Sequence, residues 1–300
     1  MKAYYCDQFV LPLPDGHRFP MKKYAMVREQ AVATGILCNE DLDVPDAATD
    51  EQLLHVHTEE YIRRVVDGQL TDKEIRRLGF PWSPALVQRS RRSVGGTISA
   101  CRSALEEGIS VNLAGGTHHA FPEFGAGFCV FNDVAAAART IQRENLAEKI
   151  LIVDCDVHQG DGTAYIFSGD TSVFTFSIHG KRNFPFHKQA SDLDIELDDG
   201  ADDAAYQNAL EMGLQAVFGA FVPDLAIYLA GADPYVGDRL GRLSLTKAGL
   251  LARDRYVLGM CRDRRLPVAV VMAGGYARDI QDIVDIHLQT IAAAAAMSPP

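Results

Sequence analysis

The chain has 300 residues, 47% hydrophobic and 23% charged, an ordinary balance for a globular protein with a core. Its net charge of −11 argues against direct nucleic-acid binding, because phosphate recognition needs clustered Lys and Arg, and the basic groupings here are short. The opening MKAYYCDQFVLPLPDG carries no long apolar segment, so we predict no signal peptide or membrane span and expect a cytoplasmic protein. Six cysteines without a Cys-x-x-Cys pair indicate buried thiols.

Taken in chain order, residues 39–84 are predicted to form peripheral helices and a polar surface loop. Apolar runs that end in Gly, Asp or His follow. These runs are typical of buried strands, and helical spacing lies between them. The alternation predicts an α/β fold with three αβα layers around a mostly parallel sheet. No repeat or linker divides the chain, so we predict one domain over residues 1–300. The strand runs are SVNLAGG, KILIVDCD, SVFTFSIHG, DLAIYLAGAD and PVAVVMAGG, and the helical segments are DVAAAARTIQREN, DDAAYQNALEMGLQAVFGAF and TKAGLLARDRYVLGMCRDRR.

Carboxylates and a histidine stand where two of these runs end, which is where open α/β sheets form their sites. Asp154 and Asp156 project to the same side of a strand, and His158 continues that register. Asp-x-His is a metal-ligand spacing, although Asp156 can equally cap a helix. Asp233 ends another run and, although alone it is typical of a turn, it offers a third ligand. Two carboxylates and one imidazole would leave an open position on zinc, as in catalytic sites.

Two adjacent histidines, His118 and His119, follow the first run in LAGGTHHA. Such pairs are more often packed or solvent-facing than catalytic. Here Asp154 and Asp161 remain after metal binding, and a carboxylate behind an imidazole fixes its tautomer and raises its basicity. Tyr276, in MAGGYA, can donate its phenol to a developing oxyanion, or it can be a buried ring with a hydrogen-bond partner.

Taken together, the motifs resemble those of the zinc-dependent histone deacetylase family, which has the arginase–deacetylase fold. They occur in order over nearly the whole chain as GGTHHAFPEFGAGFCVFND, DCDVHQGDGT, SIHGKRNFPF, GADPYVGDRLG and AGGYA. The segments GHRFPMKKY, NFPF and SDLDIEL are similar to the class IV branch and its bacterial relatives.

The resemblance implies two ions. One Zn²⁺ per chain would be held by Asp156, His158 and Asp233. A structural K⁺ beneath it would use oxygens of Asp154, Asp156 and His158 together with Ser177.

The resemblance also implies a role for each candidate catalytic residue. His119 would be the general base and then the acid, oriented by Asp161. His118 would be its electrostatic partner, backed by Asp154, and Tyr276 would polarise the acyl carbonyl.

For the substrate, the resemblance implies that the carbonyl of Gly127 accepts the amide N–H. Phe128 and Phe184 would flank a narrow channel for the lysine stem, with Leu240 nearby. Two departures stand out. The acidic rim residue that grips peptide backbone in class I members has no match in LGFPWSPALVQRS, and Ala273 stands where a third glycine is common.

The function implied is zinc-dependent hydrolysis of N-acyl-lysine in a protein or peptide, and the class IV likeness leads us to expect that long fatty acyl chains compete with acetyl. Acetylpolyamines or other small acylated amines are an open alternative, since they need the same machinery. A ureohydrolase needs bridging carboxylates where Gly160 and Gly231 stand. A non-catalytic acyl-lysine binding module would not need His119 and Tyr276. The oligomeric state stays open.

Overall fold

A single parallel sheet organises the computed structural model, which describes residues 1–7 and 11–298. Its eight strands lie in the order β2-β1-β3-β8-β7-β4-β5-β6. All neighbouring pairs are parallel. The strands are β1 (Ala3–Tyr4), β2 (Leu42–Asp43), β3 (Ile109–Asn112), β4 (Ile150–Asp154), β5 (Val173–Gly180), β6 (Leu193–Leu197), β7 (Leu225–Leu229) and β8 (Val268–Val271). The five runs predicted as strands are therefore strands.

Helices cover both faces of the sheet. They are α1 (Lys23–Ala33), α2 (Asp50–Leu54), α3 (Glu59–Val66), α4 (Asp72–Leu78), α5 (Pro84–Glu107), α6 (Asp133–Arg143), α7 (Asp161–Ile166), α8 (Asp203–Ala220), α9 (Lys247–Asp263) and α10 (Ile280–Met297), with a short 3-10 helix at Asn39–Asp41. None of these helices, within the described residues, combines the length and apolarity needed to cross a bilayer.

The core confirms the three-layer prediction. Along β4, the side chains of Ile150 and Ile152 join one hydrophobic cluster, and those of Leu151 and Val153 join a second cluster on the other face. This alternation is the two-residue period of a strand, and a strand buried on both faces needs apolar residues at every position. The apolar runs thus reflect burial by two helical layers.

The sheet topology places the loops of three central strands side by side. β7 pairs with both β4 and β8, and Asp154 at the end of β4 lies opposite Leu229 at the end of β7. The loops that leave these strands carry Asp156 and His158, Asp233, and Tyr276. Residues far apart in the chain therefore meet at one edge of the sheet.

Candidate active site

Three buried side chains form a compact cluster beyond the ends of β4 and β7. In Asp156, His158 and Asp233, one potential ligand atom per residue lies within 4.8 Å of the others. His158 Nδ1 is 3.0 Å from Asp156 Oδ1 and 3.2 Å from Asp233 Oδ2. The structure thus brings together the three residues expected to bind metal.

Backbone amides fix the two carboxylates of this cluster. Asp156 accepts hydrogen bonds from the N–H of His158 at 2.9 Å and of Gly274 at 2.7 Å, and Asp233 Oδ1 accepts one from Val157 at 2.9 Å. Gly274 is needed for this approach, because a Cβ there would lie 2.0 Å from Asp233 Oδ2. Loops from three adjacent strands therefore orient the carboxylate oxygens.

The cluster fits a bound divalent cation. Asp233 Oδ2 is buried and accepts no hydrogen bond from the described residues, although His158 Nδ1 lies 3.2 Å away. Burial and the charge of Asp156 raise the pKa of Asp233. Although burial opposes charge on His158, the two carboxylates beside it raise its pKa. All of this indicates a place that attracts positive charge, and two oxygens with one imidazole nitrogen are suitable donors for zinc.

Two histidine–carboxylate pairs stand beside the cluster. His118 Nδ1 lies 2.6 Å from Asp154 Oδ2, and His119 Nδ1 lies 2.6 Å from Asp161 Oδ1 at the start of α7. The two imidazole rings are 4.2 Å apart between centroids, and all four side chains are buried. The pairing expected from the sequence is present in the structure.

The two histidines differ in their proton affinity. Burial opposes charge on both, but the carboxylates of Asp154 and Asp156 outweigh it at His118 and raise its pKa to about 9. At His119, burial and the positive charge of His118 prevail over Asp161 and lower the pKa to about 4. His118 is therefore a cation at neutral pH. His119 is neutral, donates from Nδ1 to Asp161, and keeps a lone pair on Nε2.

The Tyr276 side chain also lies near the cluster. Its ring centroid is 6.3 Å from that of His158, and it is 7% exposed. Burial and the charges of Asp156 and Asp233 raise the pKa of Tyr276 well above its usual value, so the phenol keeps its proton. A protonated phenol beside the metal-ligand cluster can act as a hydrogen-bond donor.

Residues that the sequence did not single out hold the Tyr276 loop. The Tyr276 N–H donates to Asp238 at 2.6 Å, and its carbonyl accepts from Arg239 Nε at 2.9 Å. Lys23, which is buried, donates to the carbonyls of Ala273 at 3.3 Å and Gly275 at 3.5 Å. Lys23 and Asp238 do lie within quoted motifs, GHRFPMKKY and GADPYVGDRLG, which was the available signal.

The four residues expected to contact substrate surround a cleft of about 720 Å³ that also reaches His119, His158 and Tyr276. Gly127 and Phe128 have φ angles of 53° and 68°. A side chain at Gly127 would approach His119 Cδ2 to 2.7 Å, so glycine is required there. The Phe184 ring contacts the His119 ring edge to face with centroids 4.9 Å apart, and Leu240 completes the lining.

A smaller internal cavity of about 50 Å³ adjoins the cluster and is lined in part by Asp156, Gly274, Phe19 and Phe80. This volume is enough for roughly three or four water molecules. Phe124 and Gly125 line neither cavity. The Phe124 ring stacks on Phe121 with centroids 4.6 Å apart, and a Cβ at Gly125 would meet Cys129 O at 2.5 Å.

Ser177, expected to help hold potassium, lies opposite Asp154 in the pairing of β4 with β5. Its hydroxyl is 2.9 Å from His179 Nδ1. The potassium site stays a prediction.

Comparison with known proteins identifies the family. Residues 17–291 match the histone deacetylase domain family. The chain is 48% identical over 283 residues to an uncharacterized protein of Picosynechococcus sp., covering 94% of each chain. It is 30% identical to histone deacetylase 2 of Arabidopsis thaliana, covering 90% of this chain and 73% of that protein. The chain belongs to the histone deacetylase family of hydrolases.

Two further similarities agree with this assignment. The acetoin utilization protein AcuC of Staphylococcus aureus is 27% identical over 292 residues, covering 90% of this chain and 75% of that protein. A solved histone deacetylase homolog from Aquifex aeolicus superposes with a TM-score of 0.85 at 23% identity, covering 100% of this chain and 85% of that chain. The arginase–deacetylase fold expected from the motifs is thereby confirmed.

Proposed function

We propose that this protein hydrolyses the amide bond of N-acyl-lysine, with one zinc ion per chain held by Asp156, His158 and Asp233. The observation that carries the proposal is the two histidine–aspartate pairs, each with its atoms 2.6 Å apart, beside a buried Asp-His-Asp cluster. When bound, zinc polarises a carbonyl and lowers the pKa of a bound water.

The chain's own residues would do the proton transfer. His119, neutral and held by Asp161, accepts a proton at Nε2 as water attacks and returns it to the leaving lysine nitrogen. His118, a cation held by Asp154, supplies positive charge to the developing intermediate, and the Tyr276 phenol donates a hydrogen bond to the oxyanion. A non-catalytic acyl-lysine binding module would need neither a general base nor a hydrogen-bond donor to an oxyanion.

The cleft would hold the lysine side chain. We propose that Phe128, Phe184 and Leu240 contact its methylene groups, and that the Gly127 carbonyl accepts the amide N–H. The acyl group would then point toward the internal cavity of about 50 Å³. We propose that acetyl and other short acyl groups fill this space. The long-chain expectation drawn from the class IV likeness stays a prediction, and on the size of this cavity we propose short acyl substrates as its alternative.

Activity of the zinc-loaded protein on acetyl-lysine peptides, beside acetylated polyamines and guanidino substrates, tests this function. We expect hydrolysis of the peptides, loss of activity with a chelator, and recovery with one equivalent of zinc. Preferential turnover of polyamines would replace the lysine assignment with the small-amine alternative. Urea release that requires two equivalents of manganese would overturn the deacylase proposal.

A further inference from the structure

Five arginines line the catalytic cleft at its mouth. They are Arg18, Arg77, Arg182, Arg239 and Arg242, and all five side chains are exposed. They come from separate segments of the chain, so they do not form a run of basic residues in the sequence. Among the described residues that line this cleft, none is Asp or Glu. A protein with a net charge of −11 thus has an entrance whose fixed charges are positive.

The existing contacts of these arginines leave their charge largely uncompensated. Arg239 donates to two backbone carbonyls, those of Tyr276 and Arg18. The Arg77 guanidinium lies 3.9 Å from the ring centroid of Phe124. Within the described part of the chain, neither makes an ion pair with a carboxylate.

The remaining compensation is small. Arg242 Nη1 is 3.1 Å and Arg182 Nη1 is 3.8 Å from one and the same carboxylate oxygen, Asp199 Oδ2. One carboxylate therefore serves two guanidinium groups. Arg18 makes no carboxylate ion pair within the described residues. Guanidinium forks with free donors are suited to carboxylates, and a concave site lined by one sign of charge concentrates ligands of the opposite sign.

We infer that the substrate is an acyl-lysine flanked by acidic residues, whose carboxylates contact the arginines while the acyl-lysine enters the cleft. This inference rests on the proposed deacylase function and specifies its substrate class. It disfavours acetylated polyamines, since their additional ammonium groups would face the same arginines. It also accounts for the missing acidic rim residue, because the mouth holds side-chain carboxylates of the substrate rather than its backbone N–H groups.

A membrane surface is the main rival occupant, because Phe186, 82% exposed, also lines the cleft and arginines attract anionic lipids. The arginines, however, surround a concave opening that leads to His119 and His158. A peptide side chain can follow that opening, whereas a flat bilayer contacts only its rim. The geometry therefore favours a peptide.

The test compares three peptides that carry the same acetyl-lysine and differ only in their neighbours, which are Glu, Gln or Lys. We expect kcat/KM to fall in the order Glu, Gln, Lys. The Glu-to-Gln ratio should shrink as salt rises from about 0.05 M to 0.5 M, because exposed charges are screened. Replacing Arg18 and Arg182 together by Gln should lower this ratio by about 1.4- to fivefold per arginine, the range for an exposed ion pair.

A matched variant, Arg255→Gln with Arg262→Gln, removes the same charge from exposed positions on α9 outside the cleft and should leave the ratio unchanged. Equal or reversed preference among peptides that are all hydrolysed would overturn this inference while the deacylase function stands. If no peptide is hydrolysed, the proposed function fails. In that case, binding of a fluorescent Glu-flanked peptide tests the preference for acidic ligands separately. Binding that is lost in the Arg18→Gln, Arg182→Gln variant but kept in the control would support this preference, and an absence of binding would overturn it.

Vesicles of phosphatidylserine and phosphatidylcholine provide the last arm. Vesicle binding that depends on Arg18 and Arg182, with no Glu preference among the peptides, would overturn the peptide assignment in favour of a membrane surface. Failure of the vesicles to compete with the Glu peptide supports it.

Discussion

The Nε2 atom of His57 accepts a hydrogen bond from the backbone N–H of Asn132 at 2.9 Å, while Nδ1 lies 3.0 Å from the carbonyl of Phe121. A carbonyl can only accept and an N–H can only donate, so the imidazole is neutral with its proton on Nδ1. Asn132 in turn donates to the Ala120 carbonyl at 3.1 Å, next to His118 and His119. His57 therefore supports the loop that carries both histidines.

This arrangement predicts an acid-sensitive contribution to stability. Burial lowers the pKa of His57 to about 4, against about 6.5 in an unfolded chain. Between these values the unfolded state takes up a proton that the folded state does not, so stability falls as the pH drops from about 6.5 toward 4. The slope for one proton is about 1.4 kcal/mol per pH unit. The free energy of unfolding in urea should therefore depend less steeply on pH in His57→Gln than in the wild type; parallel dependences would contradict this.

His119→Ala and Tyr276→Phe should each lose activity and keep the metal, because neither side chain belongs to the ligand cluster. Loss of one positioned general base lowers the rate by about 10²–10⁴-fold. Measuring kcat beside the zinc content of each variant checks this. Asp233→Asn is the contrasting variant and should lose the metal. Wild-type turnover in either of the first two would show that its assigned role is wrong.

Gly274→Ala should weaken metal binding without unfolding the protein. Its Cβ would lie 2.0 Å from Asp233 Oδ2 and 2.5 Å from Asp156 Oδ2, so the carboxylates must move. Disturbing the orientation of ligands typically weakens metal affinity by about 10–100-fold. Gly259→Ala is the matched control, since Gly259 lies in α9 and, among the described residues outside its own helical turn, none comes within 4 Å of an added Cβ. Chelator competition on both variants gives the comparison, and equal affinities would refute the prediction.

Arg253 should prove important for stability. It is fully buried, forms an ion pair with Asp254 at 2.8 Å, and donates to the carbonyls of Gly231 at 2.6 Å and Cys155 at 3.3 Å, both beside the ligand loops. Arg253→Met would leave Asp254 buried without its counter-charge, which costs about 3–5 kcal/mol. Urea unfolding measures this loss. Replacing the exposed Arg255 by Met is the control, and a similar small change in both would contradict the prediction.

Catalytic efficiency should decrease as the acyl chain lengthens. Forcing extra methylene groups into a filled cavity costs about 1–3 kcal/mol, so we expect kcat/KM for octanoyl-lysine to be about tenfold or more below that for acetyl-lysine. Phe80→Ala, which widens the internal cavity, should narrow this gap. A wild-type preference for octanoyl or myristoyl over acetyl would instead restore the long-chain expectation.

The central sheet was predictable because a strand buried on both faces shows up as an unbroken apolar run. The edges were not predictable in this way. β1 and β2 are two residues each, and β6 reads LDIEL with no fully buried position. Such strands are specified by their neighbours in the sheet rather than by their own composition.

The site divides along similar lines. Asp156 and His158 could be predicted from their residue type and spacing. Asp238 and Lys23 could not, because they contact backbone groups, which any polar side chain can do. The cluster of arginines at the cleft could not be predicted from the sequence, because only the tertiary structure brings these residues together. The net charge of the chain is −11, yet the charge of the side chains at the entrance has the opposite sign.

Metal affinity depends on the register in which β4 pairs with β7. With Asp154 opposite Leu229, the following loops bring Asp156 and Asp233 to within 3.0 and 3.2 Å of one imidazole nitrogen. A slip of one residue would shift one strand by about 3.3 Å and turn its side chains to the other face. A sheet with this misalignment could not bring the three ligands together. During refolding, the time at which the chain first retains zinc in the presence of a chelator would therefore be the time at which β4 and β7 have paired in the native register.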